Sequence, residues 1–391
     1  MKSLGYLEQE CPMKAFIFPG QGSQAKGMGG ELFDAFKELT QKADDILGYS
    51  IKTLCLENPQ RELNQTQFTQ PALYVVNALS YYRKLDETGR KPDYVAGHSL
   101  GEYNALLAAE CFDFETGLRL VKKRGELMAQ APEGRMAAIL NATKAEVAAI
   151  LRDNALHNID VANYNTPQQI VISGRADEIE RAQAFFQQGN MMYHPLNTSG
   201  AFHSRLMKPS SEQFRRFLGE FTFSPLAIPA IANVTARPHK NQDIADTLAA
   251  QLAGSVLWCD SIQYLMACAD ADEPMTFEEV GHGEVLTKML RHIPKDTSLV
   301  VDRRANIEPK PVSAVHVQDT SGNRPPRDAN NMVGAWNARY PVGTKVRCTL
   351  HDYDELETRT EAVVLFGHRA AIYMKGYNGY FDLNEIVPVN A

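Results

Sequence analysis

The sequence GHSLGEY at residues 97–103 places a serine between two glycines, in the G-x-S-x-G spacing of many serine nucleophiles. It directly follows the short apolar run DYVA and precedes LGEYNALLAAECF, which has the composition of a helix. At such a strand-to-helix turn the glycines allow a sharp bend that exposes the serine, and the first N–H groups of the helix face it. We therefore predict that Ser99 is a nucleophile and that the Leu100 N–H is an oxyanion donor, although a pattern this short also arises by chance.

A serine hydroxyl is a weak nucleophile and needs a general base, which is most often a histidine. His98 adjoins Ser99, but adjacent side chains at such a turn point apart. His203, in SGAFHSRLM, lies where a predicted inserted subdomain returns to the core, and a loop between subdomains is a good position for a catalytic group. The spacing therefore favours His203. Other histidines, in helix ends, turns or the linker, are expected to be exposed to solvent, namely His157, His194, His239 and His316.

A glycine-rich stretch, PGQGSQAKGMGG at residues 19–30, follows the first predicted strand. It lacks the G-K-[ST] ending of a phosphate-binding P-loop and the G-x-G-x-x-G spacing of dinucleotide-binding loops, so no nucleotide site is predicted. Loops that follow neighbouring parallel strands meet at the same edge of a sheet. We expect this loop to provide a second oxyanion N–H near Ser99; the alternative is a plain tight turn.

Three consecutive basic residues, Lys122, Lys123 and Arg124, lie in the amphipathic stretch DFETGLRLVKKRGELMAQA. On a surface helix such a run normally faces water. One member could instead turn inward and bind a carboxylate, for which the parallel N–H groups of a guanidinium are well suited. The run of charges does not choose among the three.

The elements that must position these residues alternate between strand and helix signals from residue 13 to about 130, and again after about 200. Such alternation predicts an α/β core with a mostly parallel sheet covered on both faces. Between the two parts the order is β-α-β-β-α-β, typical of a ferredoxin-like subdomain. Beyond a stretch rich in Pro, Asn, Asp and Ser, consecutive short strand signals predict a small SH3-like β-barrel. The predicted division is an extension at 1–12, a core at 13–133 and 201–304, a ferredoxin-like subdomain at 134–200, a linker at 305–339 and the barrel at 340–391.

Composition argues against several classes of function. Hydrophobic residues make up 44% of the chain and charged residues 22%, which is ordinary for a soluble globular protein, and the net charge of -7 argues against nucleic acid or an anionic membrane as a partner. No apolar run approaches the ~20 residues of a membrane-spanning helix. The N-terminus has no secretion signal, so a cytoplasmic location is expected. The six cysteines are scattered without a C-x-x-C pair, which favours reduced thiols over disulfides or a metal site.

Six blocks of the sequence resemble, in their order and spacing, the malonyl-CoA:acyl-carrier-protein transacylases. They are FPGQGSQ, GHSLGEY, RGELM, VANYNTPQQIVISG, SGAFHSRLM and EVGHGEVLTKML. The resemblance runs from about Met13 to Asp302, and six collinear blocks are far more specific than any one of them. It implies an α/β-hydrolase-like core with a ferredoxin-like insert.

The resemblance also implies a role for each matching residue. Ser99 would attack the malonyl thioester and hold malonate as an ester. His203 would be the general base, oriented by a backbone carbonyl rather than by an aspartate. The backbone N–H groups of Gln21 and Leu100 would form the oxyanion hole. Arg124 would bind the free carboxylate of malonate, which distinguishes it from the two lysines before it.

Further residues are implied to line the acyl pocket, and two segments depart from the family pattern. The implied lining residues are Phe202, His98 and Asn163, with Phe202 typical of relatives that take malonate. His282 stands in GHG, where relatives often have a proline. The segment AGSVLW at 253–258 stands where relatives commonly have an Asn-Pro pair, in the loop expected to supply the carbonyl for His203.

The implied reaction is a ping-pong cycle without a cofactor or metal. Malonyl-CoA acylates Ser99, CoA leaves, and the phosphopantetheine thiol of an acyl carrier protein collects the malonyl group. Since relatives in fatty-acid synthesis usually end near the position of Asp302, the added C-terminal unit suggests a freestanding enzyme that serves a polyketide synthase in trans, with fatty-acid synthesis as the alternative. The unit would dock the synthase, or would only add stability. The alternatives are an acyl hydrolase on the same scaffold, which would not need Arg124, and a catalytically silent docking protein.

Overall fold

The computed structural model describes residues 12–198, 200–269, 273–299, 329–348, 356–365, 369–375, 380–383 and 386–389. The chain divides into two compact units, Met1–Glu308 and Pro309–Ala391. Most of the predicted N-terminal extension and most of the predicted linker lie outside the described residues. None of the helices in the described part of the chain combines the length and the hydropathy that a membrane crossing requires.

The strands are short and follow the apolar runs of the sequence. In chain order they are β1 (Lys14–Phe18), β2 (Tyr94–Gly97), β3 (Arg135–Leu140), β4 (Asp160–Thr166), β5 (Gln169–Gly174), β6 (Met192–Pro195), β7 (Ala230–Ala232), β8 (Arg237–Pro238), β9 (Thr276–Glu279), β10 (Lys345–Cys348), β11 (Leu356–Glu357), β12 (Val363–Leu365), β13 (Arg369–Tyr373), β14 (Tyr380–Asp382) and β15 (Ile386–Pro388).

The helices occupy the segments between them. In chain order they are α1 (Leu32–Ala35), α2 (Lys37–Leu47), α3 (Ile51–Leu56), α4 (Thr66–Thr88), α5 (Gly101–Ala108), α6 (Phe114–Ala129), α7 (Lys144–Asp153), α8 (Ala176–Phe186), α9 (Lys208–Leu218), α10 (Ile244–Ala253), α11 (Trp258–Cys268), α12 (Val285–Leu290) and α13 (Ala329–Asn337).

The central sheet of the first unit has the strand order β8-β7-β2-β1-β9. Its strands run parallel except for β8, which pairs antiparallel with β7 at the edge. Alternate side chains of β1 enter different cores: Phe16 and Phe18 pack into one hydrophobic cluster, and Ala15 and Ile17 into another. The sheet is therefore covered on both faces, which explains the nearly continuous apolar sequence of its strands. The predicted α/β fold with a parallel sheet is confirmed.

A second sheet lies between the two sequence segments of this core. It is antiparallel, with the strand order β4-β5-β3-β6, and its elements follow one another as β3-α7-β4-β5-α8-β6. One face packs in a separate hydrophobic cluster that includes Ile139, Ile170 and Phe186. Helix α7 begins with a capping box in which Thr143 and Glu146 satisfy each other's backbone N–H groups. This segment is thus a compact layer with its own core.

Within its described residues, the second unit contains two three-stranded antiparallel sheets, ordered β11-β10-β15 and β12-β13-β14. The linker was predicted to continue to residue 339, but residues 329–337 form α13. Met332, Val333 and Trp336 of this helix pack against the hydrophobic cluster of the unit. Their i, i+1, i+4 spacing places them on one face of a helix. That face is partly buried against the hydrophobic cluster of the unit, so the C-terminal end of the predicted linker belongs to the folded unit.

Candidate active site

Ser99 lies in the tight turn between β2 and α5, with its backbone in the left-handed region at φ +52°. The backbone approaches itself closely on both sides of the turn. A Cβ atom on Gly97 would lie 1.9 Å from the carbonyl carbon of Gly101, and one on Gly101 would lie 2.0 Å from the carbonyl oxygen of Phe18. Only glycine fits at either position, so both glycines of the G-x-S-x-G pattern are required to hold the strained serine in place.

The side chain of His203 forms a hydrogen bond with Ser99, at 2.7 Å between Nε2 and Oγ. The other ring nitrogen, Nδ1, lies 2.9 Å from the carbonyl oxygen of Gln251 and 3.2 Å from that of Gly254. Carbonyls only accept, so the proton of the neutral ring is on Nδ1, and Nε2 is free to accept the Ser99 proton. Gly254 belongs to the segment that departs from the family pattern, and its carbonyl still faces the ring.

His203 is almost completely buried, at 4% exposure, and its backbone also lies in the left-handed region, at φ +58°. Burial lowers its pKa to about 3, and the nearby positive charge of Arg124 acts in the same direction. Its hydrogen bonds to the two carbonyls oppose the shift only in part. The imidazole is therefore neutral at ordinary pH and able to act as a base.

Arg124 projects from α6 into the interior and is fully buried. Its Nη1 donates to Oε1 of Gln70 at 2.7 Å, while Nη2 donates to Oγ of Ser99 at 3.1 Å and to Oε1 of Gln251 at 3.0 Å. The guanidinium carbon lies 5.6 Å from the ring centroid of Tyr103. Among the described residues, Arg124 Nε has no hydrogen-bond partner. A buried cation thus touches the hydroxyl of Ser99 and is held by neutral oxygens.

The two lysines before Arg124 have a different environment. Lys122 and Lys123 are half-buried, and Lys122 Nζ donates to the backbone oxygen of Ile46 at 2.9 Å. Lys123 Nζ lies 3.9 Å from a carboxylate oxygen of Glu126. Of the three consecutive basic residues, only Arg124 reaches Ser99.

The glycine-rich loop lies against the turn that carries Ser99. A Cβ atom on Gly20 would be 2.3 Å from the backbone oxygen of His98 and 3.5 Å from the backbone nitrogen of Leu100. The hydrogen bonds of the described residues provide no acceptor for the backbone N–H of either Leu100 or Gln21. Within the described part of the chain, neither N–H group has a protein acceptor, as the prediction that they bind an oxyanion requires.

The three predicted lining residues are placed differently. Phe202 is buried directly before His203, with its ring edge against Gly200. His98 is half-buried, and its Nε2 lies 2.8 Å from Oδ1 of Asn165; burial lowers the pKa of His98. Asn163 lies in β4, and no hydrogen bond within the described chain joins its side chain to Ser99, His203 or Arg124. The β4 side chain that contacts His98 is thus that of Asn165, two residues after Asn163.

Sequence reasoning missed a set of buried amides around Ser99. Asn233 accepts the Ser99 N–H through Oδ1 at 2.7 Å and donates Nδ2 to the Gly97 oxygen at 2.7 Å. Gln251 donates Nε2 to the Ser99 oxygen at 2.8 Å. The one available signal was a polar residue within an apolar face, because Gln251 lies between the buried Leu248 and Leu252 of α10.

His239 was predicted to face solvent, and this prediction is wrong. Its side chain is completely buried, and Nε2 lies 2.7 Å from Oε1 of Glu102, which is also completely buried. The polar sequence RPHKNQ suggested an exposed turn. Antiparallel pairing of β8 with β7 instead carries His239 over the beginning of α5.

The described residues contain no group of three or more His, Cys, Asp or Glu side chains that could hold a metal ion. Cysteines with described side chains have free thiols in the interior, namely Cys55, Cys111, Cys259 and Cys268.

Comparison with known proteins places this chain within a family. Residues 15–301 match the acyl transferase domain family. The chain is 56% identical to the polyketide biosynthesis malonyl CoA-acyl carrier protein transacylase BaeC of Bacillus velezensis, over 73% of this chain and 98% of that protein. It is 41% identical to the malonyl CoA-acyl carrier protein transacylase of a Synechocystis species, over 73% and 95% of the two chains.

Comparison with solved structures leads to the same family. The crystal structure of a malonyl CoA-acyl carrier protein transacylase from Burkholderia pseudomallei is similar, with a TM-score of 0.71 and 55% identity, over 72% of this chain and 98% of that one. The protein is thus an acyltransferase on an α/β fold with a parallel sheet. More narrowly, the chain belongs to the malonyl-CoA:acyl-carrier-protein transacylases.

Proposed function

We propose that this protein moves a malonyl group from malonyl-CoA to the thiol of an acyl carrier protein through an ester on Ser99. The observation that carries the proposal is the buried guanidinium of Arg124, 3.1 Å from the Ser99 hydroxyl. The carboxylate carbon of a malonyl ester is only two bonds from its carbonyl carbon. A cation within hydrogen-bonding distance of Oγ can therefore bind that carboxylate while the carbonyl carbon is joined to Oγ.

The first half of the cycle acylates Ser99. Oγ attacks the thioester carbonyl carbon as its proton passes to Nε2 of His203, and the carbonyl oxygen becomes an oxyanion bound by the N–H groups of Leu100 and Gln21. The oxyanion then collapses, the carbon–sulfur bond breaks, and His203 returns its proton to the departing CoA thiolate. Malonate remains bound to Ser99 as an ester.

The second half reverses these steps with another thiol. The carrier-protein thiol gives its proton to His203 and attacks the ester carbonyl, and the Ser99 alkoxide recovers the proton as the carbon–oxygen bond breaks. No oxidation change occurs, and the cycle requires no cofactor or metal.

Arg124 provides the selectivity. An acetyl group has no carboxylate, so binding it leaves a buried cation without its partner, at a cost of about 2–5 kcal/mol. We assign Phe202, His98 and Asn163 to the walls of the acyl pocket. Their placement next to His203, next to Ser99 and in β4 supports this assignment.

We further propose that the enzyme serves a polyketide synthase in trans. The name of the Bacillus velezensis relative, which is matched over nearly all of its length, supports that context. The proposed thiol substrates are intracellular, which supports a cytoplasmic location. We interpret the core as α/β-hydrolase-like, residues 134–200 as ferredoxin-like and residues 340–391 as an SH3-like barrel; the strand orders of the described sheets support these interpretations.

The test is intact-mass detection of acyl-Ser99 after mixing with malonyl-, methylmalonyl- or acetyl-CoA. We expect a malonyl adduct that holo acyl carrier protein discharges faster than water does. Arg124→Ala should lower malonyl adduct formation by at least about 30-fold and spare acetyl adduct formation. Lys123→Ala, on the same helix, is the matched control. Discharge to water that outpaces discharge to the carrier protein would indicate a hydrolase instead, and the absence of any adduct would indicate a docking protein.

A further inference from the structure

A completely buried carboxylate, that of Glu102, lies in the first turn of α5, three residues after Ser99. Each of its oxygens accepts hydrogen bonds. Oε1 is paired with Nε2 of His239 at 2.7 Å. Oε2 accepts from the backbone N–H of Asn233 at 3.1 Å and from Nε2 of Gln251 at 2.7 Å. A carboxylate with three such partners is firmly held inside the protein.

Gln251 connects this carboxylate to Ser99, Arg124 and His203. Its Nε2 donates to Glu102 and to the backbone oxygen of Ser99, and its Oε1 accepts from Nη2 of Arg124 at 3.0 Å. Its backbone oxygen accepts from Nδ1 of His203 at 2.9 Å. One side-chain amide thus lies between the buried anion and the buried cation.

The carboxylate determines which way that amide points. A glutamine amide has a donor end and an acceptor end, whereas a carboxylate only accepts and a guanidinium only donates. With Nε2 on Glu102, Oε1 necessarily faces Arg124. In the reverse orientation an oxygen would face the carboxylate and an NH₂ group would face the guanidinium, so each charged group would lose one of its hydrogen bonds. Glu102 therefore favours the amide orientation that gives Arg124 one of its three acceptors.

The distance between the two charges matters as well. Burial lowers the pKa of Arg124, and the charge of Glu102 opposes that shift. Yet no hydrogen bond joins the two side chains in the described structure, and the acceptors of Arg124 are neutral oxygens of Gln70, Gln251 and Ser99. A carboxylate in direct contact would occupy the N–H groups that an incoming carboxylate needs. One amide away, it stabilises the cation and leaves those groups exchangeable.

We propose that Glu102 is a positioning residue that orients Arg124 through the Gln251 amide and thereby determines the preference for acyl groups that carry a carboxylate. The inference rests on the proposed function of Arg124. It assigns to Glu102 no contact with substrate. Its effect should therefore appear in the choice between acyl groups rather than in the reactivity of Ser99 itself.

The first experiment replaces the charge while keeping the shape, with Glu102→Gln. The glutamine amide has one oxygen, whereas three donors face position 102: His239 Nε2, the Asn233 N–H and Gln251 Nε2. The new NH₂ group therefore faces at least one other donor. If the Gln251 amide turns over to remove that clash, Arg124 loses its acceptor on Gln251. We expect malonyl-Ser99 formation to slow by about 30-fold and acetyl-Ser99 formation to change by less than about threefold, because an ångström-scale misplacement affects only the group that uses Arg124. Glu115→Gln, which removes a half-buried carboxylate paired with Lys42 in the first turn of α6, is the matched control.

The second experiment is a double-mutant cycle with Gln251→Leu, which keeps the backbone oxygen that binds His203. If Glu102 acts through this amide, Gln251→Leu should reproduce the loss of preference, and the double variant should be no worse than either single variant. Urea unfolding of each variant identifies losses caused by instability. A malonyl-to-acetyl ratio that stays at the wild-type value in both single variants, or effects that simply add, would overturn the proposal. Failure of the wild-type enzyme to form a malonyl ester would instead refute the proposed function.

Discussion

The neutral imidazole of His203 predicts an unusual pH dependence for the acylation of Ser99. A histidine with an ordinary pKa of about 6.5 is only about 3% neutral at pH 5, which would lower the rate of a base-dependent step by about 30-fold. Burial and the charge of Arg124 lower the pKa of His203 to about 3, so it stays almost entirely neutral at pH 5. We therefore expect kcat/KM for acylation to be flat from pH 8 to pH 5.

The assay is single-turnover formation of malonyl-Ser99, quenched and measured by intact mass at each pH. The value of kcat/KM reports the free enzyme, in which no substrate carboxylate yet neutralises Arg124. In Arg124→Leu one cause of the lowered pKa is removed, so the acid limb should move to higher pH. A neutral aryl acetate serves as the substrate for that comparison. An acid limb between pH 6 and 7 in the wild-type enzyme would refute this reasoning.

His203 also makes the free energy of unfolding depend on pH, and its lowered pKa means that the protein is less stable in acid. Between about pH 6.5 and 3 the unfolded chain protonates this histidine and the folded chain does not, so stability is lost as the pH falls through that range. At pH 5 the loss is about 2 kcal/mol relative to pH 8. Urea unfolding of the wild-type protein and of His203→Gln at both pH values isolates this contribution, because the variant should lack it.

Three further predictions concern the scaffold. Gly101→Ala should lower the free energy of unfolding by about 3 kcal/mol, because its Cβ would lie 2.0 Å from the Phe18 oxygen. Gly334→Ala, which has open space around it, should not lower the free energy of unfolding, and urea unfolding measures both variants. Asn233→Ala should slow formation of the malonyl and acetyl esters equally, by about tenfold, because it leaves the Ser99 N–H without its acceptor; a changed ratio would contradict this. Deletion of residues 309–391 should leave malonyl-Ser99 formation within about twofold of wild type, because Ser99, His203 and Arg124 all lie in the first unit; a large loss would show that the unit supports the core.

Local sequence patterns predicted the parallel sheet and the turn at Ser99 well, for a physical reason. An unbroken apolar run such as KAFIF predicts a strand whose two faces are both buried. At Gly97 and Gly101 the neighbouring backbone is so close that no residue with a Cβ atom fits. The inward orientation of Arg124 was also encoded, but in the neighbouring apolar residues rather than in the run of charges. Position 124 falls on the face of α6 that buries Leu120, Val121, Leu127 and Met128.

The buried network was harder to predict because its members are far apart in the sequence. Gln251 meets Glu102 across 149 positions and Ser99 across 152. A glutamate in the first turn of a helix usually faces water beside the positive end of the helix, and nothing local marks Glu102 as an exception. Residues far away in the sequence enclose it: Asn233 after β7, His239 after β8 and Gln251 of α10 all contact its carboxylate. Helix α13 was missed for a related reason: its apolar residues pack against strands that lie further along the chain, which a local pattern does not show.

The two contacts of the Ser99 hydroxyl have a stereochemical consequence. A hydroxyl oxygen has one hydrogen and two lone pairs. The hydrogen is directed at Nε2 of His203, and one lone pair accepts from Nη2 of Arg124. A single lone pair is left to form the new bond to carbon, so the direction from which a carbonyl carbon can approach Oγ is restricted before any thioester enters.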